Sequence, residues 1–199
     1  METEKRMAGD YEITQSLLIG DKEVVFGIAD NNPEHPYLCA FYESNEIVGQ
    51  YTGCMIGNDY VELMLLYAKR ITEQCEKLRE AENALTVPTE TITTDMCTPV
   101  RYDESIRDKV VVIRPEVLRP EYQTSVNQLV FAYSGFGVEA NSRGNAVYII
   151  NLYSGKESRI DRSDILGTMN ELPEWAKERE NAIRAQRTKE MKNQEFQSR

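Results

Sequence analysis

Hydrophobic and polar positions alternate in short runs along the front of the chain, and the pattern changes to a spacing of three and four near residue 59. From Tyr11, β-prone runs are broken by turn chemistry: Tyr11 to Ile19, then Gly20-Asp21, then Glu23 to Ile28, then Asp30-Asn31-Asn32-Pro33-Glu34-His35-Pro36. Tyr37 to Tyr42 and Val48 to Met55 follow, separated by Glu43-Ser44-Asn45-Glu46. This spacing predicts a four-strand antiparallel meander. Asn58-Asp59 then opens a long helix. With Asp59 as the cap, Glu62 takes the third position of a capping box. Met64, Tyr67, Ile71, Cys75, Leu78 and Leu85 recur at three, four and finally seven residues, which predicts one apolar stripe lying across the sheet.

Thr86 to Pro99 has no long period and carries two prolines, so it reads as a linker or an extended crossing strand. Beyond it, Lys109 to Ile113, Gln128 to Tyr133, Ala146 to Tyr153 and Ser158 to Asp161 read as strands, the last two joined through Ser154-Gly155-Lys156. Ser163 reads as the cap of a short turn over residues 164–166. Pro173 opens the last helix, where a proline costs no hydrogen bond. Trp175, Ala176, Ile183 and Met191 are its anchors, and its end is expected to fray from Thr188. The predicted fold class is α+β: an antiparallel β-meander with one long helix, then a small β-rich module, a partly closed barrel or curled sheet, and a C-terminal helix. The expected division is a flexible tail at 1–9, the acidic meander and long helix at 10–86, a linker or crossing strand at 87–107, the β-rich module at 108–170, and the C-terminal helix with a frayed end at 171–199.

Charge sharpens this division. The 199 residues hold 23 Lys and Arg against 33 Asp and Glu, a net charge of −10. Residues 1–88 hold 16 acids and 7 bases, a net of −9, whereas residues 89–199 hold 17 acids and 16 bases, a net of −1. Such a field disfavours non-specific attraction to nucleic acid and favours a basic partner surface. The longest apolar runs reach only five or six residues, as in Leu63 to Ala68, too short to span a bilayer. No export signature opens the chain, and Cys39, Cys54, Cys75 and Cys97 are widely spaced with no CxxC pair. A reduced, cytoplasmic protein without a zinc site is the expectation.

Chemical motifs are sparse. Gly135-x-Gly137-x-x-Ala140 spells a dinucleotide fingerprint, but Asn141-Ser142-Arg143-Gly144 is turn chemistry and Ala146 to Ile150 reads as a strand, where a phosphate site needs a helix. The expectation is a strand, a glycine-rich loop and a returning strand. His35 is the single histidine, and GxSxG, GxxxxGK[ST], HExxH and EF-hand patterns do not occur. Asp161 with Asp164, and Asp30 with Glu34, are nominal acid pairs; Asp161 and Asp164 read more simply as a strand end and a first-turn acid. No catalytic residue, metal site or cofactor is expected.

Two binding chemistries remain. Glu73, Glu76, Glu80 and Glu82 lie off the apolar stripe of the long helix, among Lys69, Arg70, Lys77 and Arg79. In the rear half Arg143, Lys156, Arg159 and Arg162 fall on or near one set of loops, with Tyr133, Phe136, Tyr148 and Tyr153 as candidate stacking faces. Glu139, Glu157, Asp161 and Asp164 are interleaved with those bases, which weakens a nucleic-acid stripe.

The rear strings Val112-Ile-Arg-Pro-Glu-Val-Leu-Arg119, Glu121-Tyr122, Asn127-Gln-Leu129, Gly135-Phe-Gly137, Asn141-Ser-Arg-Gly144, Asn151-Leu-Tyr-Ser-Gly155, Arg162, Asp164-Ile-Leu-Gly167 and Leu172-Pro-Glu-Trp-Ala176 carry a resemblance. With Tyr37-Leu-Cys-Ala-Phe41 and Asp59-Tyr-Val-Glu62, they make the chain from about Tyr11 to Ala176 similar to a family of small proteins of conjugative elements and phages of gut Firmicutes. The resemblance names no reaction and carries over no site residue. It implies the accessory cargo of mobile elements, among which acidic inhibitors of host restriction and CRISPR nucleases are common. The resulting expectation is an anti-CRISPR protein that binds a Cas9–guide RNA complex, or another host defence nuclease, through Glu73, Glu76, Glu80 and Glu82. A nucleic-acid-binding accessory protein using Arg143, Lys156, Arg159 and Arg162 is the alternative. A homodimer through the long helix stays open.

Overall fold

The computed structural model of the chain describes residues 5–44 and 49–197, with side chains through residue 190. The protein is α+β and divides into two units, residues 1–84 and 85–199. The first unit is a five-stranded antiparallel meander in sequence order: β1 (Met7–Ala8), β2 (Tyr11–Ile19), β3 (Lys22–Ile28), β4 (Tyr37–Ser44) and β5 (Gly49–Gly57). Consecutive strands pair antiparallel, and β2 and β3 are joined by the two-residue turn Gly20-Asp21. The helix α1 (Tyr60–Asn83) follows.

The extra strand corrects the expected tail. Met7 and Ala8 pair with Glu12 and Tyr11. Arg6 bonds both Glu23 carboxylate oxygens, at 2.6 and 2.9 Å, and stacks 4.1 Å over the Tyr42 ring. A guanidinium that finds a carboxylate and an aromatic face holds the backbone beside it. Residues 1–4 of the expected tail lie outside the described residues.

Alternation decides the two faces of this sheet. Val24, Phe26 and Cys39 face α1 and meet its Leu63 and Tyr67, while Val25, Leu38 and Ala40 face the other way under Tyr11, Tyr42 and Tyr51. Burying each large apolar side chain contributes about 1.5–3 kcal/mol. Asp59 caps α1 as expected, its Oδ1 accepting from the N–H of Val61 (2.8 Å) and Glu62 (3.0 Å).

The stripe of α1 is shifted from the expected one. Its buried line is Leu63, Tyr67, Arg70 and Gln74, flanked by half-buried Met64, Ile71 and Leu78; Cys75 is exposed, and Leu85 lies beyond the helix end. Apolarity alone misses this line because Arg70 lays its stem on the core and ends on backbone. Its guanidinium donates to the carbonyls of Cys39 (3.0 Å) and Gly53 (2.7 Å) and stacks on Phe41.

The second unit is a six-stranded antiparallel sheet in the order β10-β9-β8-β7-β11-β6. Its strands are β6 (Cys97–Thr98), β7 (Lys109–Ile113), β8 (Leu129–Ser134), β9 (Ala146–Asn151), β10 (Glu157–Asp161) and β11 (Ile165–Met169). The short helix α2 (Ser125–Gln128) precedes β8, and α3 (Glu174–Gln197) closes the chain. Val110, Val112, Leu129, Phe131 and Ile150 form one core face under Trp175, Ala176 and Ile183 of α3. Val111, Ile113, Val130, Ala132, Val147 and Ile149 form the opposite face, under Ile106 and Val138.

Three further expectations change here. Residues 164–166 do not form a helical turn: Arg162–Asp164 is the 3-10 turn, capped by Asp161, and Ile165 starts β11. The α3 helix continues past Thr188 to Gln197. Of the two readings of the segment at 87–107, linker or crossing strand, the linker does not hold: the segment is folded, with Ile92 and Ile106 fully buried and Cys97–Thr98 paired as a short strand to β11. Its aperiodic sequence hides this because its amides bond to side chains and loops rather than to a ladder.

Candidate functional site

The acidic helix comes first. Glu73, Glu76 and Glu80 are spaced three and four apart and so share one side of α1, whereas Glu82, two residues beyond Glu80, points to another. Glu76, Glu80 and Glu82 are exposed and Glu73 is half-buried. Glu73 meets Lys69 at 3.8 Å; Glu76, Glu80 and Glu82 have no ion pair among the described residues. The apolar stripe of α1 is occupied by the sheet, which leaves Val61 and Leu65, one turn apart and about two-thirds exposed, as apolar residues on its outer side.

The four rear bases separate. Arg162 is committed to the fold: Nη1 donates to the carbonyls of Gly137 (2.5 Å) and Glu139 (3.2 Å), and Nη2 to those of Arg101 (3.0 Å) and Glu104 (2.7 Å). With its donors spent on backbone, it clamps two loops and has little left for phosphate. Arg159 pairs with Asp161 at 3.1 Å. Arg143 and Lys156 are exposed and have no ion pair among the described residues.

The glycine loop is explained by sterics. A Cβ on Gly135, whose φ is +103°, would overlap the carbonyl oxygen of Ala146, and one on Gly137 the carbonyl oxygen of Asn145. The glycines let this loop lie against the start of β9, and only a single 3-10 turn, Phe136–Val138, begins there, too short to stand as the helix N-terminus that a phosphate site needs. Phe136 is carried outward, 78 % exposed.

The acid pair Asp161 and Asp164 closes its own turn, each carboxylate accepting from the other's backbone N–H. Asp30 and Glu34 are exposed loop residues without an ion pair among the described residues. Among the described residues no group of three or more His, Cys, Asp or Glu side chains could hold a metal ion. Cys39 and Cys97 are buried, and burial pushes both thiols above their ordinary range, so neither is a poised nucleophile.

Basic and aromatic groups do converge on the α3 side of β8, β9 and β10. Arg184 lies 5.1 Å from the Phe131 ring and Arg187 4.3 Å from the Tyr133 ring. Together with Arg107, Asp108 and Thr188 they line a cleft of about 200 Å³. The Tyr133 hydroxyl donates to Glu157 at 3.1 Å, and burial with that carboxylate holds its proton above the ordinary tyrosine range. In register, Tyr148 of β9 stands opposite Ser134 of β8 and Arg159 of β10. Tyr153, by contrast, is half-buried and packs edge-on against Trp175.

Sequence reasoning singled out Tyr133, Tyr148 and Arg159 but missed Arg184 and Arg187. The signal was present: Ala176, Glu180, Ile183, Arg184 and Arg187 recur at three, four and one, one continuous helix face. Both arginines precede Thr188, and they were passed over because only the apolar anchors of this helix were read.

Comparison of the chain with protein-family models, curated proteins and solved structures finds no match.

Proposed function

We propose that this protein is an anti-defence protein of a mobile element that acts in the bacterial host cytoplasm by occupying the nucleic-acid-binding surface of a defence nuclease. A Cas9-type effector with its guide RNA is the partner this reading selects first. One observation carries it: the net charge of −9 is confined to residues 1–84, the span of the first unit. Within that unit exposed Glu76 and Glu80, with half-buried Glu73, form a row on α1, and the bases beside them leave Glu76 and Glu80 unpaired among the described residues.

A basic groove built for phosphates attracts such a row over a distance of about a Debye length, so the acids act chiefly on the association rate. No membrane enters this reading, and among the described residues no helix is long and apolar enough to cross one.

The test mixes the purified chain with a Cas9–guide RNA complex, follows co-elution by size exclusion, and measures target cleavage on the same fractions. Co-elution with lost cleavage supports the reading, and Glu73→Lys/Glu76→Lys/Glu80→Lys then slows association. Separate elution with normal cleavage overturns the Cas9 partner.

A further inference from the structure

We infer that the second unit carries a single-stranded nucleic-acid contact running from Arg187 and Tyr133 across Tyr148 to Arg159, with Phe136 and Arg143 at its end. This strip is independent of the acidic helix and of the partner proposed for it.

Placement comes first. Tyr133, Tyr148 and Arg159 project from one face of three neighbouring strands, because Phe131 and Ile150 on the same pleat rows face α3. Adjacent strands are about 4.8 Å apart, so the strip spans three strands and a footprint on the order of two or three nucleotides. Gly135 lies against the Tyr148 ring and delivers Phe136 just beyond it, while Gly144, next to Arg143, packs on the Phe136 side chain. Aromatic rings and guanidinium groups are thus brought together around Tyr148.

The charges identify the ligand class. Arg184 is held by Glu180 at 2.7 Å and by the Asp108 carbonyl, and Arg159 by Asp161, so much of the positive charge is already answered. Arg187 and Arg143 have no ion pair among the described residues. A ligand recognised by charge alone would find little net field here. A ligand offering flat π-faces with one phosphate per unit matches exposed Tyr148 (44 %) and Phe136 (78 %), with Arg187 over Tyr133 and Arg143 next to the Gly144 that packs on Phe136. Bases satisfy this only when unstacked, which selects a single strand over a duplex.

The experiment is fluorescence anisotropy of the full chain with labelled oligo-dT, labelled oligo-U and a duplex of equal length, at salt between about 50 and 200 mM. Binding of either single strand, weaker for the duplex and falling with salt, is expected. Tyr148→Ala and Arg187→Ala should each weaken it on the order of tenfold, as loss of a stacking or phosphate contact does. Lys177→Ala removes an equal charge that is paired with Glu174 and should leave binding unchanged. Phe136→Ala, at an aromatic that is 78 % exposed, keeps the test valid if Tyr148→Ala fails to fold. No single-strand binding, equal affinity for duplex, or full binding by the Arg187 and Phe136 variants would overturn the strip. Because no nuclease is present, this result is separate from the fate of the proposed inhibition.

Discussion

Gln128 and Ile92 bond each other twice: the Ile92 N–H donates to Gln128 Oε1 at 2.8 Å, and Gln128 Nε2 donates to the Ile92 carbonyl at 3.0 Å. The same Nε2 also reaches the Ile113 carbonyl of β7 at 3.0 Å, and both Gln128 and Ile92 are buried. One side-chain amide therefore stands in for a missing strand, satisfying the backbone of a segment that crosses the sheet without a ladder of its own. Around it the Ser125 N–H donates to the Glu90 carbonyl and the Ser125 hydroxyl to that of Pro88.

Replacing Gln128 by Leu should destabilise the protein by about 3 kcal/mol or more, since three buried backbone groups lose their partner. Gln128→Glu keeps an acceptor for the Ile92 N–H but turns a carboxylate oxygen toward two carbonyls. Burial raises the folded pKa of that new carboxyl, so the deficit against the parent should shrink as pH falls and the group regains a proton to donate. Denaturant unfolding at neutral and acid pH measures both; a pH-independent deficit for Gln128→Glu would count against the bonding scheme.

Arg162→Ala should cost about 2–3 kcal/mol by freeing the carbonyls of Gly137, Glu139, Arg101 and Glu104. Arg162→Lys should recover little, because one ammonium cannot span two loops as a planar fork does. Hydrogen exchange should locate the loss in residues 101–106 and 135–145. Protection unchanged there in either variant would remove the clamp from the account.

Thiol chemistry should divide the cysteines by burial. Exposed Cys54 and Cys75 should react promptly with a disulfide reagent, and Cys39 and Cys97 only after unfolding, since the attacking species is the thiolate and burial disfavours it. Titration in the native and denatured states counts them. Fast native reaction at Cys39 would show that the packing of α1 over β4 opens readily.

The Arg6 guanidinium holds the Glu23 carboxyl below its ordinary value of 4.5. A carboxyl depressed in the folded state contributes stability above the unfolded pKa and loses it as pH falls through the folded one. Thermal unfolding of the parent should therefore drop more steeply below about pH 4.5 than that of Glu23→Gln. Parallel curves would show that the pair contributes nothing.

The strands and α1 were legible because alternation and the helical period leave direct marks on hydropathy. The Asp59 cap and β7 at Lys109–Ile113 fall where the pattern places them. β11 was not legible, because Asp164-Ile-Leu-Gly167 is too short to show a period and pairs with β7 and β6, both distant in sequence. The Arg70 line was hidden for a related reason. A polar residue enters a core only where particular carbonyls meet it, and those of Cys39 and Gly53 are supplied by two other strands.

By itself, then, the sequence determined the α+β class, the meander, the capped helix and the concentration of net negative charge in the front, since each follows from local period, local turn chemistry or counted charge. Tertiary structure decided which bases are free. Arg162 was withdrawn into a loop clamp and Arg159 tied to Asp161, while Arg184 and Arg187 were brought over Phe131 and Tyr133. The physical reason is that a guanidinium's availability depends on which acceptors surround it. Those acceptors come from segments whose proximity only the fold creates.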